Sequence, residues 1–457
     1  MLRAVHDSDA YANLLLPGKL AEARLSEADA GFATELTYGT LRLQGYYDRI
    51  IELASGRPLA KLDPEVLDAL RLGVHQLLGM RTAAHAAVDE SVALVAAAGK
   101  RSATGFVNGV LRTIGRSTAQ QWRERALEGL VGDERLAVEF AHPLWIVGAF
   151  RAALAAEGRD GELAQLLAAD NDAPRVSLVA LPGLAEPAEV GVAAGVSPIA
   201  ARSVGGDPAG NPIVASGRAR VQDEGSQLAA LALTRARPVR AGERWLDLCS
   251  GPGGKAAVLV AEARLGGATV LANELVPTRA RLVRNALAVF DPAPRVVEGD
   301  GRRFPDGGEL FDRILLDAPC TGLGALRRRP EARWRKQSAD VAGLTALQAE
   351  LLDAAVRSLA PGGLLAYVTC SPHLDETRGV VAGALARHPE LEAVDTPAVL
   401  ARIAIRDLEL PATTHAQLWP HRHGTDAMFI QLLGVRPTAR RPSNCSASDR
   451  RADGSVR

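Results

Sequence analysis

The hydrophobic and polar positions divide the chain into a helical first part and an alternating second part. Up to about residue 140, apolar residues recur every three or four positions, which is typical of amphipathic helices. The run Ser26–Asp29 is typical of a helix N-cap, and Asp63-Pro64-Glu65 marks the start of another helix. Further helices are predicted at about 87–97 and 104–114. Residues 1–140 are therefore predicted to form an all-α domain.

The middle of the chain mixes short helical and strand patterns. A short helix is predicted from His142, and the run Asn171–Val179 is typical of a turn that leads into a strand. The Gly-, Ala- and Pro-rich run 181–216 indicates loops and short elements, and a helix follows Val221–Leu228. Residues 141–235 are predicted to form a small linking subdomain.

From about residue 240, short apolar runs alternate regularly with helical patterns. The predicted strands are 244–248, 269–273, 295–298, 311–316 and 364–369, and the predicted helices are 255–264, 276–290 and 344–359. A final hairpin is predicted from Ile403–Leu408 and Met428–Leu433. Such alternation is typical of a parallel sheet with helices on both faces. The fold class is thus multidomain: an all-α part plus an α/β Rossmann-like domain over 236–435, followed by an Arg-, Ser- and Pro-rich tail, 436–457, predicted to be disordered.

The glycine-rich stretch Trp245–Lys255 is the centre of the second part. An apolar run ends at Asp247, and Gly251, Gly253 and Gly254 follow before an Ala- and Val-rich helix. Glycines allow a sharp turn and a close approach of the backbone to a ligand, and the next helix points its first N–H groups at that loop. This pattern indicates a site for a nucleotide-like cofactor.

Acids or thiols follow five predicted strands. Since the carboxyl ends of such strands meet at one edge, these residues are expected on one rim. They are Asp247, Glu274, Asp300, Asp317 with Cys320, and Cys370. A single acid in this position more often caps a helix, but the coincidence of all five indicates a functional site.

The acids favour S-adenosylmethionine as the cofactor. Glu274 lies about 20 residues after the glycine loop, where a carboxylate accepts the two hydroxyls of a ribose; NAD-binding folds share this geometry. The loop does not have G-x-G-x-x-G spacing, and a sulfonium cofactor needs no pyrophosphate cradle. Asp300 is a candidate acceptor for the adenine amino group.

The two thiols indicate attack on a pyrimidine ring. Carbon 5 of cytosine becomes nucleophilic when a thiolate adds to carbon 6, which is covalent catalysis. The reaction also needs an acid near nitrogen 3 and a base for the carbon 5 proton. Asp317 is suited to the polar edge of the ring, although protonating nitrogen 3 would require its carboxyl group to be protonated.

Composition limits the remaining possibilities. Lys plus Arg and Asp plus Glu both number 53, so any nucleic-acid binding must come from local patches. Four cysteines without C-x-x-C spacing predict neither a disulfide framework nor a metal site. The N-terminus does not resemble a signal peptide and no apolar run is long enough to span a membrane, so we expect a cytoplasmic enzyme, as a monomer.

The motifs together resemble the Sun/Fmu-type (RsmB-like) 16S ribosomal RNA cytosine-5 methyltransferases. The matching stretches are Asp247–Lys255, Gly299–Arg302, Leu315–Gly322, Thr369–Pro372 and Val221–Asp223. The resemblance implies that Cys370 is the nucleophile and that Cys320 assists breakdown of the covalent adduct. It also implies S-adenosylmethionine contacts by Cys249, Ser250, Gly251, Pro252, Gly253, Gly254, Lys255, Glu274, Asp300 and Asp317.

Two short stretches depart from the family pattern. The acid after Thr369-Cys370-Ser371 is Glu376, and it is followed by Thr377 where the family usually has Asn. Near the C-terminus, Gly424–Phe429 reads Gly-Thr-Asp-Ala-Met-Phe where Gly-x-Asp-Gly-Phe-Phe is usual. Neither departure involves the two thiols.

Two regions are predicted to contact RNA. The first part of the chain resembles the NusB-like RNA-binding fold through Phe32–Arg42, Leu70–Gly73 and Gly105–Arg112, and its candidate basic face contains Arg42, Arg71, Arg81, Arg101 and Arg112. The run Leu326–Lys336 combines clustered arginines with Trp334, a composition suited to a phosphate backbone and a stacked base. Solvated charge is the alternative for both.

Two other functions remain open. The same chemistry on transfer RNA or DNA fits the same motifs, although a DNA enzyme would use the Pro-Cys thiol, Cys320, as its nucleophile. A non-catalytic RNA-binding ribosome-assembly factor with a vestigial methyltransferase fold is the second possibility.

Overall fold

The first part of the chain is built from helices. The structure is a computed structural model, and it describes residues 1–7, 11–193, 195–205, 207–305 and 308–436. The helices of the first part are α1 Leu2–Asp7, α2 Ala12–Ala23, α3 Glu27–Arg42, α4 Gln44–Ser55, α5 Pro64–Leu78, α6 Ala84–Ala97, α7 Thr104–Gly115, α8 Ala119–Ala126 and α9 Gly132–Glu139.

Local sequence explains where these helices begin and which faces they bury. Ser26 Oγ accepts a hydrogen bond from Asp29 N at 3.2 Å, and Pro64 is the first residue of α5, as predicted. Apolar residues of α4, α5 and α7 form one buried core. Its members Ile50, Leu70 and Leu111 have no exposed surface. Each such side chain stabilises the fold by about 1.5–3 kcal/mol relative to exposure.

The middle of the chain joins two helices to a small antiparallel sheet. Its elements are α10 Leu144–Ala155, α11 Leu163–Ala169, β1 Ser177–Ala180, α12 Pro187–Val190, β2 Val192–Ala193, β3 Ala200–Arg202, α13 Pro212–Ala215, β4 Ala219–Val221 and α14 Glu224–Thr234. The strands are ordered β2–β3–β1–β4. Helix α14 packs its apolar residues into the core of the sheet that follows.

The last part is an α/β domain. Its elements are β5 Arg244–Asp247, α15 Gly254–Leu265, β6 Thr269–Glu274, α16 Pro277–Leu287, β7 Arg295–Glu298, β8 Phe311–Asp317, α17 Ala332–Arg335, α18 Asp340–Arg357, β9 Leu359–Thr369, α19 Arg378–Arg387, β10 Leu391–Val394, α20 Thr396–Ile403, β11 Ala416–Gln417, α21 Pro420–His423 and β12 Phe429–Val435. The predicted tail lies outside the described residues except for Arg436.

The sheet of this domain is mixed. Its order is β10–β12–β9–β8–β5–β6–β7, and β11 pairs with β12. The five strands from β7 to β9 are parallel, whereas β12 runs antiparallel to β9 and β10. The first strand, β5, lies between β6 and β8, so the chain order reverses there, and ligands bind at such a point.

Two predicted strand boundaries are wrong. Ile403 ends α20, and 404–408 form no strand, so the predicted hairpin does not exist. The Asp395 side chain accepts a hydrogen bond from Ala398 N, and this cap starts a helix whose Val399 and Ile403 face the core. The strand predicted from residue 364 begins earlier, at Leu359, and carries an irregularity opposite Phe311 and Arg313.

No helix in the described part of the chain is long and apolar enough to cross a lipid bilayer.

Candidate active site

A cleft of about 800 Å³ opens beyond the carboxyl ends of β5, β6, β8 and β9. This is the rim on which the acids and thiols were predicted to meet. Nine of the residues singled out from the sequence line it: Cys249, Gly251, Pro252, Lys255, Glu274, Asp300, Asp317, Cys320 and Cys370. Three smaller depressions on the described surface, of about 330, 220 and 280 Å³, carry none of these residues.

Glu274 is fixed at the end of β6 by the backbone of the glycine loop. Its carboxylate accepts hydrogen bonds from Gly251 N at 2.9 Å and from Val276 N at 3.0 Å. A side chain on Gly251 would come within 2.2 Å of that carboxylate, so only glycine fits there. Each carboxylate oxygen has lone pairs beyond the one that accepts an N–H, and these remain for a ligand.

Three residues of the predicted cofactor set shape the loop and do not line the cleft. Ser250 is buried and its hydroxyl donates to the Asp247 carbonyl at 2.9 Å. Gly253 has φ 104° and packs against Val283 of α16, which excludes a side chain. A Cβ at Gly254 would lie 3.6 Å from Gln222, so neither turn geometry nor packing requires glycine there.

Asp247 lies beneath the loop and is almost fully buried. Neither of its carboxylate oxygens has a hydrogen-bond partner among the described residues. Burial, together with the nearby charge of Asp317, raises the pKa of Asp247 to about 8. A carboxyl group with this pKa is mostly protonated at neutral pH.

The Asp300 carboxylate is already hydrogen-bonded to a residue of its own turn. Its carboxylate accepts hydrogen bonds from Arg302 N at 3.0 Å and from Arg302 Nη2 at 2.7 Å, and these bonds hold the pKa of Asp300 below its usual value. Arg302 also pairs with Glu350 at 3.0 Å. Asp300 still faces the cleft, but an adenine amino group would have to share it with Arg302.

The two thiols lie side by side at the ends of adjacent strands. Cys370 follows β9 directly and Cys320 follows β8 after Pro319, and their Sγ atoms are 3.5 Å apart. The Cys370 carbonyl accepts a hydrogen bond from Gly324 N at 2.9 Å, which ties the Cys320 loop to the end of β9. Both sulfur atoms thus face one point in the cleft.

The surrounding charges distinguish the two thiols. The hydrogen bond from Cys320 lowers the pKa of Cys370, and the cations Lys255 and Arg329 lower it further. The same hydrogen bond raises the pKa of Cys320, as do burial and the negative charge of Glu376. These shifts favour ionisation of Cys370 over ionisation of Cys320.

Lys255 and Asp317 form an ion pair next to the thiols. Lys255 Nζ lies 2.8 Å from Asp317 Oδ2. Burial opposes the charge on Lys255, but Asp317 more than offsets that effect and raises the pKa of the ammonium group. The pair therefore presents an ammonium group and a carboxylate to the cleft.

Glu376 holds the two cysteine loops together, a role that the sequence did not reveal. It is fully buried and accepts hydrogen bonds from Thr321 N at 2.7 Å, Thr321 Oγ1 at 2.5 Å and Ser371 Oγ at 2.6 Å. Gln348 of α18 adds a fourth donor at 3.2 Å. One carboxylate thus joins the residue after Cys320 to the residue after Cys370. The departure noted at Glu376-Thr377 was the only sequence signal at this position.

The arginine-rich run 326–336 is mostly structural. Arg327 donates to Asp426 at 2.9 Å and to Asp223 at 3.0 Å, and Arg328 pairs with the same two acids. Arg333 is fully buried and donates to the carbonyl oxygens of Arg42 and Asp170, both at 2.8 Å. The predicted RNA contact is therefore wrong for Arg327 and Arg333, because tertiary packing buries them.

The proposed basic face of the first domain is also smaller than predicted. Arg42 and Arg71 are buried, and Arg71 pairs with Asp48 at 2.6 Å and with Asp68 at 3.3 Å. Arg81, Arg101 and Arg112 are exposed. Of the five arginines predicted to form this face, these three remain candidates for contact with RNA.

The chain matches two family models. Residues 236–434 match the model described as 16S rRNA methyltransferase RsmB/F, and residues 1–116 match the NusB family. The first segment contains both thiols of the cleft, and the second contains helices α1 to α7. The family match therefore covers both of the regions that the sequence motifs had singled out.

Relatives match over nearly the full length. Rv1407 of Mycobacterium tuberculosis, named as a methyltransferase, is 48% identical over 94% of both chains. Ribosomal RNA small subunit methyltransferase B of Pseudomonas putida is 34% identical over 86% of this chain and 89% of its own. Its counterpart of the same name in Klebsiella pneumoniae is 32% identical over 87% and 90%.

Solved structures share the fold. The crystal structure of PH0851 superposes with a TM-score of 0.74 at 23% identity, covering 91% of this chain and 92% of that one. A methyltransferase homologue from Pyrococcus horikoshii gives a TM-score of 0.51 at 19% identity, covering 66% of this chain and 98% of its own. The family models and the full-length relatives establish that this chain belongs to the S-adenosylmethionine-dependent 16S rRNA methyltransferases of the RsmB/F family and carries an N-terminal NusB domain.

Proposed function

We propose that this protein methylates carbon 5 of a cytosine in 16S ribosomal RNA through a covalent bond between Cys370 and carbon 6 of the ring. The observation that carries the proposal is the thiol pair, 3.5 Å apart, with opposite pKa shifts on its two members. The name of the Pseudomonas putida relative supports ribosomal RNA of the small subunit as the substrate.

The first step uses the difference in pKa between the two thiols. The Cys370 thiolate adds to carbon 6, and the displaced electron pair makes carbon 5 nucleophilic. Lys255 and Arg329 favour the thiolate, while the Cys320 S–H donates to it. S-adenosylmethionine, when bound in the cleft, supplies the methyl group.

The last step releases the product. A base removes the proton from carbon 5, the double bond re-forms, and the bonding electrons return to the sulfur of Cys370. We assign assistance in this step to Cys320, because its sulfur is the polar side-chain atom placed against the Cys370 sulfur at 3.5 Å. The proton of the Cys320 thiol is also the one available to the returning thiolate.

Asp317 and Lys255 are suited to the polar edge of the ring. The carboxylate of Asp317, held at 2.8 Å from the ammonium group, accepts a hydrogen bond from the exocyclic amino group of cytosine. Lys255 remains charged beside the same edge and donates toward nitrogen 3. We thus assign Asp317 the role of a hydrogen-bond acceptor, in place of the acid at nitrogen 3 that the sequence suggested.

The carboxylate side of the cleft fits the cofactor. Gly251 allows the Glu274 carboxylate to approach the loop backbone, because a Cβ there would lie 2.2 Å from Glu274 Oε2, and that carboxylate keeps acceptor capacity for ribose hydroxyls. Cys249, Pro252 and Asp300 line the same side. Ser250 and Gly253 hold the loop in the shape that these contacts require.

The test compares single-cysteine variants in methyl transfer from labelled S-adenosylmethionine to small-subunit RNA from cells lacking the protein. We expect Cys370→Ala to lose at least about 10⁴-fold in rate, since it removes the nucleophile. We expect Cys320→Ala to accumulate an RNA–protein adduct, visible as a band that resists denaturation. Full activity of Cys370→Ala would refute the assignment, and transfer RNA serves as the control substrate.

A further inference from the structure

The N-terminal domain contributes residues to the wall of the cleft. Tyr11, which precedes α2, and Asn13 in its first turn both line the space that contains Cys320 and Cys370. The start of α2 is held there because Ala12 N donates to Glu331 Oε1 at 2.9 Å. The site is therefore assembled from both ends of the chain.

Tyr11 contacts an arginine that differs from its neighbours. The guanidinium carbon of Arg329 lies 5.0 Å from the centroid of the Tyr11 ring, a cation–π distance, and Arg335 approaches the same ring at 5.1 Å. Arg329 is exposed, whereas its neighbour Arg327 is buried by acids.

Most cations of the cleft are already neutralised. Lys255 pairs with Asp317, Arg279 with Glu274, Arg302 with Asp300 and Arg328 with Asp223. Within the described ranges, Arg329 and Lys336 are the cleft cations with no carboxylate partner. A free cation at the mouth of a site indicates an anionic ligand.

We propose that Arg329 binds a phosphate group of the RNA strand beside the target cytidine, and that Tyr11 positions its guanidinium group for that contact. The proposal rests on the proposed function, which places a cytosine at Cys370. A base that enters the cleft brings its flanking phosphates to the mouth, where Arg329 lies. Guanidinium matches phosphate through two parallel N–H donors, and an aromatic ring beneath it limits its rotamers.

The experiment measures binding of a labelled single-stranded RNA by fluorescence anisotropy over a range of KCl concentrations. We expect Arg329→Gln to weaken binding roughly tenfold at low salt, the effect of one charge-assisted hydrogen bond. We also expect the slope of log affinity against log salt to fall by about 0.7, which is one phosphate contact on a single strand. Arg264→Gln, which removes a guanidinium group 5.2 Å from the Phe290 ring at the far end of α15, is the matched control and should change neither quantity.

The positioning role of Tyr11 is tested by a double-mutant cycle. We expect Tyr11→Leu to weaken binding several-fold, Tyr11→Phe to bind like the wild type, and Tyr11→Leu to add nothing in the Arg329→Gln background. Thermal unfolding of each variant identifies any that fail to fold. Additive effects of the two changes would overturn the role of Tyr11.

Two further results would overturn the role of Arg329. One is an unchanged salt slope in Arg329→Gln. The other is a loss of S-adenosylmethionine affinity by calorimetry with RNA binding intact, which would assign Arg329 to the cofactor carboxylate. Failure of the proposed function is distinguishable, because then the wild-type protein itself would not methylate the RNA.

Discussion

The two walls of the cleft are held in place by different means. On the carboxylate wall, Glu274 is fixed by backbone N–H groups of Gly251 and Val276, which lie in the loops that follow adjacent strands. On the thiol wall, Cys320 and Cys370 are fixed indirectly, through a buried Glu376 that binds the side chains and backbone beside them. One wall depends on main-chain geometry and the other on a single side chain.

The difference predicts unequal tolerance to substitution. A backbone donor persists whatever side chain it carries, so the carboxylate wall loses only the contact that is removed. The thiol wall loses several contacts at once when Glu376 changes, because the donors around it are buried and cannot reach water. Substitutions on the thiol wall therefore test how the thiols are positioned, whereas substitutions on the carboxylate wall test how a ligand is bound.

Among the substitutions that test this difference between the walls, Glu376→Ala is expected to have the largest effect on stability and kcat. Removing the carboxylate leaves Thr321 and Ser371 donors unsatisfied, so we expect unfolding free energy to fall by about 4 kcal/mol, measured by urea denaturation. Because the thiols lose their fixed spacing, kcat should fall by roughly 100-fold or more at a temperature where the variant is folded.

The control for that change is Glu376→Gln. The amide oxygen still accepts from Thr321 N, and the two hydroxyl groups can turn to donate elsewhere, so a smaller loss of both stability and kcat is expected. Equal losses in the Ala and Gln variants would show that charge, rather than hydrogen bonding, fixes the loops.

A smaller and more selective effect is expected from Glu274→Gln. It removes a charged acceptor from the carboxylate wall, and we expect S-adenosylmethionine to bind roughly tenfold more weakly by calorimetry. RNA affinity should not change, since Glu274 is remote from the thiol wall. A loss of RNA affinity of the same size would contradict the separation of the two walls.

The smallest effect concerns pH. The hydrogen bond from Cys320 lowers the pKa of Cys370 most, and Lys255 adds to this effect. The thiolate is therefore present above a pKa that lies below the ordinary thiol value, and activity falls as pH drops through it. In Lys255→Gln that pKa rises, so the acidic limb of the kcat/KM profile should move to higher pH. A limb that stays in place would show that Lys255 does not act on the thiolate.

Sequence patterns located the residues of the cleft but not the forces that hold them. Asp317, Cys320 and Cys370 follow apolar strands directly, and parallel strands place such residues on one rim, so their meeting was predictable. Glu376 is distant from Cys320 in sequence and lies in a helical turn. Its role depends on two loops that only the folded sheet brings together.

The predictions that were wrong have the same cause as the missed role of Glu376. Arg327 and Arg333 belong to a run whose composition favours solvent or RNA, yet acids and carbonyl groups from distant segments bury them. Ile403 and Leu408 alternate like a strand, but the cap at Asp395 and the core contacts of Val399 favour a helix. Local patterns cannot reveal partners that arrive from elsewhere in the chain.

The buried link through Glu376 also determines which molecule must change shape during the reaction. The residues beside both thiols share one carboxylate, and Gly324 N bonds the Cys370 carbonyl, so the two sulfur atoms move as one rigid unit. For the proposed methylation of cytosine, we therefore expect the RNA rather than the protein to supply the unstacking. Cytidines in loops or strained stems, which are easily extruded, are the targets we expect the enzyme to prefer.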